Sequence, residues 1–123
     1  MNQYQTLDAS LHGNVTIAAL SFDPTSFDTL EVLGADMTDV VDSHQSQHLV
    51  VSFSHVSIIC SDSIGILLRV RQTITSRGGQ MHLCCMSPNI RQVFKLLNLD
   101  GTLFKIFDSQ EDAVANLKSN ELN

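Results

Sequence analysis

The sequence predicts an α/β fold: a single domain with a mixed sheet of four to five strands and about four helices. Three observations carry this. An apolar, β-branched run (Leu49 to Phe53) leads through a bend into a helical segment ending at Gly78-Gly79, and a second strand, Met81 to Met86, follows directly. Such a strand–helix–strand unit joins parallel strands and is almost always right-handed. Second, Phe27, Leu30, Leu33, Met37, Val40 and Val41 recur at intervals of three and four, the mark of a helix with one apolar face. Third, Gly13-Asn14 forms a short break between two apolar runs, which predicts an antiparallel hairpin and makes the sheet mixed.

The elements follow in order. The first strand falls between Gln5 and Leu11 and the second between Val15 and Phe22. Asp23-Pro24-Thr25-Ser26 is a helix-start signal, with Asp23 a capping candidate. Gly34 lies inside the first helix, where glycine costs roughly 1 kcal/mol relative to alanine. Leu49 to Phe53 reads as a central strand covered on both faces. Cys60-Ser61-Asp62-Ser63 then opens a helix over about Ser63 to Ser76, burying Ile64, Leu67, Leu68 and Ile74 with Arg69, Arg71 and Arg77 outward. Gly78-Gly79 supplies a left-handed stop. Ser87-Pro88 starts a third helix with Ile90, Val93, Phe94 and Leu97 as its stripe, and Leu103 to Phe107 is a short fifth strand. Asp108-Ser109-Gln110-Glu111 has the form of a cap for a last helix through Leu117. Residues 1–14 supply a strand and turn to the same domain as 15–117, and 118–123 form a short polar tail.

A chain of 123 residues, 43% hydrophobic, is one domain able to bury a core without staples. No apolar run reaches membrane-spanning length, and the first residues lack the basic flank and apolar stretch of a secretory signal. A cytoplasmic protein is expected, without membrane insertion. Seven Lys and Arg against thirteen Asp and Glu leave a net charge of −6, which argues against nucleic acid or an anionic membrane as partner and favours a basic protein surface. Cys60, Cys84 and Cys85 form no C-x-x-C pair, and the five histidines are scattered along the chain, so no metal or other cofactor is expected. The cysteines read as small buried hydrophobes, with the adjacent Cys84 and Cys85 on opposite faces of one strand. The histidines read as surface or strand residues. Phosphate-binding glycine loops are missing from the sequence and no local Ser/His/Asp set is suggested, so an enzyme is not expected. The nearest nucleophile is Cys60, beside a helix start that would stabilise a thiolate but flanked by Ile58, Ile59 and Ile64.

The order Val56-Ser57-Ile58-Ile59-Cys60-Ser61-Asp62-Ser63-Ile64-Gly65, followed by Gly78-Gly79 and Ser87-Pro88, resembles the STAS domain family of the anti-sigma factor antagonist type. That family carries Val-x-Phe-x-Asp-Ser-Ser/Thr-Gly-Leu-Gly, a helix ending Gly-Gly, a strand and Ser-Pro. The closing segment Val93 to Asp100 and Phe104 to Ser109, and Asp23 before the first helix, add to the likeness, which spans about Val15 to Leu117. The chain departs from the family pattern with Cys60 for the aspartate and Ser63 for the glycine.

The resemblance implies a non-enzymatic protein-interaction module, an anti-sigma factor antagonist in a phosphorylation-controlled partner switch. Its partner would be an anti-sigma factor of the histidine-kinase-like ATPase type or another signalling protein. By position the phosphorylated residue is Ser61; an alternative register that aligns Asp62-Ser63 with the family's Asp-Ser makes it Ser63. Asp23, Ser61, Asp62, Ser63 and Ile64 form the expected partner-binding set. The bare chemistry of the cluster is also that of ordinary helix caps. Two other readings stand beside this one: an unphosphorylated STAS scaffold subunit of a transport or signalling complex, and a thiol-dependent enzyme or redox sensor at Cys60.

Overall fold

The computed structural model describes residues 4–21, 23–44 and 47–122. Strand β1 (Leu7–His12) and β2 (Val15–Leu20) form the expected antiparallel hairpin, with Leu7 opposite Leu20 and His12 opposite Val15. Helix α1 (Phe27–His44) leads to β3 (His48–Ser52), α2 (Ser61–Ser76) to β4 (Met81–Cys84), and α3 (Pro88–Leu96) to β5 (Lys105–Phe107); α4 (Gln110–Leu122) follows. All pairings after the hairpin are parallel, and the spatial order of the strands is their chain order. The fold class, strand number and helix number are those read from the sequence. The predicted end of β2 at Phe22 lies outside the described residues, as does Asn123 of the polar tail; α4 runs past Leu117 to Leu122.

Each face of the sheet has its own core. Leu49 and Val51 of β3 point with Leu83 of β4 to a large cluster filled by Leu33, Met37 and Val40 of α1, Leu67 and Ile74 of α2, and Phe94 of α3. Val50, Val15, Ile17 and Cys84 point the other way, where Ala113 and Leu117 of α4 cover them. Every residue of β3 is buried, as its unbroken apolar run requires of a central parallel strand.

The helix ends explain where the chain stops and turns. Gly78 has φ +82° and donates to Thr75 O, while Gly79 donates to Ile74 O, so α2 closes on the left-handed motif expected of Gly78-Gly79. A Cβ on Gly79 would sit 1.8 Å from the Gln47 carbonyl oxygen, so this glycine also permits a close backbone approach. α3 ends through Asn98 at φ 59°, which carries the chain round so that Leu99, not Leu97, enters the core; Leu97 is exposed.

Three other expectations are corrected. Phe27 is 75% exposed rather than part of the α1 stripe. At 3.6 residues per turn it lies roughly 90° round the helix from the centre of Leu33, Met37, Val40 and Val41. Leu68 is half-buried, while Ile66 and Val70, unremarked in the sequence, are buried where α2 meets α1. Cys85 lies beyond the end of β4 with φ 65°, so the alternation of a strand does not apply to it and its thiol is on the same side as that of Cys84. His48 and His82 are buried strand residues: His48 Nδ1 accepts from the Gln80 N–H, and His82 Nε2 pairs with Asn116 Oδ1 at 2.8 Å.

Candidate functional site: the start of helix α2

The loop after β3 turns at Phe53, where Val56 N–H donates back to the Phe53 carbonyl, and then continues without regular structure to Cys60. Cys60 holds an extended backbone and is the residue that caps α2; the helix begins at Ser61, two residues earlier than the sequence indicates. Ser63, in the third helical position, reaches back. Its hydroxyl accepts from the Cys60 N–H at 3.0 Å and donates to the Cys60 carbonyl at 2.7 Å. Where the family pattern has an aspartate, this chain has Cys60, supported by a hydroxyl acting from inside the first turn.

This division of labour sorts the expected partner-binding residues. Ser63 is 1% exposed, and its hydroxyl is spent on the turn. Ile64 is buried in the main core. Ser61 and Asp62 are exposed in the first turn, where the positive end of the helix dipole favours negative charge. Of the two serines considered as phosphate acceptors, only Ser61 stands at the surface.

Asp23 is not the cap of α1. That role belongs to Ser26, whose Oγ accepts from the Thr29 N–H at 3.2 Å. The Asp23 carboxylate instead spans to the α2 loop, accepting from the Ser57 N–H at 2.7 Å, the Ser57 hydroxyl at 3.0 Å and the Ile58 N–H at 3.3 Å. Those bonds, the Ser57 N–H foremost, hold its carboxyl below the usual range. The Cys60 thiol, 3.6 Å from the Pro24 carbonyl, adds a second tie between the two loops. Cys60 is half-buried rather than a core residue. Burial pushes its thiol up, but hydrogen bonds from the Ser63 hydroxyl and N–H and the Asp62 N–H outweigh that and leave it below its ordinary value.

The surface around Ser61 is apolar as well as acidic. Phe27, the first residue of α1, and Ile58, in the loop before α2 that Asp23 holds, are 75% and 60% exposed. Beside Ser61 and Asp62 a groove of about 320 Å³ runs between α1 and α2, lined also by Leu30, Gly65 and Arg69. It adjoins a second groove of about 410 Å³ lined by Gly34, Thr38 and Thr73. A Cβ on Gly34 or Gly65 would meet nothing within 4 Å, so neither glycine is required by packing inside the domain. Phe27, Ile58, Ser57 and Arg69 were not singled out as site residues from the sequence. Only Phe27 carried a signal, its offset from the α1 stripe.

The STAS domain family model matches residues 12–113. The chain belongs to the STAS domain family. An anti-sigma F factor antagonist of Paenibacillus polymyxa is 28% identical over 110 residues, covering 87% of this chain and 90% of that protein. Among solved structures, an anti-sigma factor antagonist of Thermotoga maritima, itself described as putative, superposes with a TM-score of 0.81 at 20% identity, covering 91% of this chain and 94% of that one. The Bacillus cell fate determinant SpoIIAA in its phosphorylated form gives a TM-score of 0.66 at 18% identity, covering 89% of this STAS chain and 97% of the other. These likenesses to solved structures show the fold. Among the described residues of this STAS domain, no group of three or more His, Cys, Asp or Glu is placed to hold a metal ion, and no helix is long and apolar enough to cross a membrane.

Proposed function

We propose that this STAS domain is an anti-sigma factor antagonist that docks through the start of α2, with Ser61 as the phosphorylated switch. The observation that carries the reading is the exposed Ser61–Asp62 turn flanked by the exposed Phe27 and Ile58. Such a surface combines apolar anchors with a hydroxyl whose modification changes local charge. The partner is an anti-sigma factor, in keeping with the name carried by the Paenibacillus relative, and of the histidine-kinase-like ATPase type that the family resemblance implies. Asp23 positions the two loops, Ser63 and Ile64 hold the turn from beneath, and Ser61 and Asp62 meet the partner.

A phosphate on Ser61 adds about −1.5 to −2 charge without disturbing the Ser63 bonds that cap the helix. Next to Asp62 that charge enters the contact uncompensated unless the partner supplies Arg or Lys. Ser61→Asp is expected to weaken binding to the cognate anti-sigma factor about five- to 150-fold, a coupling of roughly 1–3 kcal/mol. Ser61→Ala keeps binding and abolishes phosphorylation. Calorimetric titration, with a thermal melt of each variant, checks both. Wild-type affinity in Ser61→Asp, with no phosphate on the wild-type protein from cells, would leave the unphosphorylated scaffold as the reading.

A further inference from the structure

On the opposite face from α2, the thiols of Cys84 and Cys85 lie 3.5 Å apart. Two features create the pair. Cys84 ends β4 and turns its side chain into the cluster beneath α4, where it is fully buried. Cys85 then adopts φ 65°, a left-handed backbone uncommon outside glycine, which brings its half-buried thiol back against the same cluster. The backbone is held there by Cys85 N–H donating to the Phe107 carbonyl at 3.1 Å and by Phe53 N–H donating to the Cys84 carbonyl at 2.9 Å. The pair thus sits at the carboxyl end of a parallel strand, the end of α/β sheets at which ligands bind.

The spacing discriminates between the fates open to two thiols. A disulfide needs its sulfurs about 2.05 Å apart and its Cα atoms roughly 4.4–6.8 Å apart, whereas adjacent residues across a trans peptide are held at about 3.8 Å. A pyramidal soft atom bonded to two thiol sulfurs at about 2.3 Å with an angle of roughly 100° holds them about 3.5 Å apart, as found. No group of three or more metal-ligating side chains exists among the described residues, so the centre must bring its remaining substituent with it.

We propose that Cys84 and Cys85 form a vicinal dithiol site for a monosubstituted trivalent arsenical. Cys85, the more exposed sulfur, bonds first; Cys84 closes the ring. Two S–H bonds and the arsenic–oxygen bond break, two As–S bonds form, and the oxygen leaves as water with both protons. Arsenic stays trivalent, so no oxidant or reductant takes part.

Phenylarsine oxide is the probe. One equivalent added to the reduced native protein should leave a single alkylatable thiol, Cys60, of the three cysteines, with one adduct by intact mass. Dithiothreitol should remove it and a monothiol should not. Cys60→Ser should bind as wild type. Cys85→Ala, checked for folding by its melt, should bind about 10²- to 10⁴-fold more weakly, because the second bond is then no longer intramolecular. Protection of Cys60, two thiols left alkylatable after one equivalent, or unchanged affinity in a folded Cys85→Ala overturns the proposal. The alkylation count on the wild-type protein decides the matter even where the variant fails to fold.

Discussion

Helices α2 and α3 begin at corresponding places, each just beyond the carboxyl end of a parallel strand, yet they are built oppositely. α3 opens with the residues a helix start prefers: Ser87 Oγ accepts from the Ile90 N–H at 3.3 Å, and Pro88 takes the first helical position. α2 opens on Cys60, a weak cap, and depends on Ser63 reaching back. The first is complete in itself. The second places its stabilising hydroxyl inside the turn, which releases Ser61 and Asp62 to the surface between Phe27 and Ile58. Where the cap is moved inward, the outer residues are left at the surface for the proposed contact.

The strongest way to break this contrast is to remove the two hydroxyls separately. Ser63→Ala strips a part-buried N–H of its partner and is expected to cost about 1–3 kcal/mol in urea unfolding. Ser87→Ala removes an ordinary cap and should cost about 1 kcal/mol. Equal costs would mean that Ser63 is no more than a conventional cap.

A smaller effect of opposite sign comes from the glycines. Gly65→Ala and Gly34→Ala each meet open space and should raise stability by up to roughly 1 kcal/mol, a few degrees in the melt. Only Gly65 lines the groove beside Ser61, so only Gly65→Ala should weaken partner binding. Parallel melts and titrations of the two variants sharpen the assignment of the docking surface.

The smallest effect expected is that of pH on the Asp23 clamp. Its folded carboxyl is held below the unfolded value of about 3.9, so its contribution is present above that value and is lost as pH falls through the folded one. Asp23→Asn should therefore be less stable than wild type near neutrality, the gap closing in the acid range. Paired urea titrations from neutral to strongly acid pH test this, and a constant gap would refute it.

What was legible in the sequence is what local chemistry decides. Gly78-Gly79, Ser87-Pro88 and the unbroken run Leu49 to Phe53 each state their role within a few residues, and the structure agrees. The elements of the site that were not legible depend on distant segments. Asp23 reads as a cap until the fold brings Ser57, 34 positions on, into its reach. Ser63 reads as one of several caps until the helix start is seen to be Ser61. The Cys84–Cys85 pair hides behind strand alternation, which one left-handed residue undoes.

The strand order has a consequence for the chain as it is made. Because each strand pairs with its predecessor, the sheet can grow in the order of synthesis, and both loops of the α2 site precede β4. Its other face is covered later. Val15, Ile17, Val50 and Cys84 are sheltered by Ala113 and Leu117 of α4, which follows every strand of the sheet. A nascent chain would hold the turn at the start of α2 complete while still showing a bare apolar wall, the type of surface that chaperones retain and that aggregates when they do not.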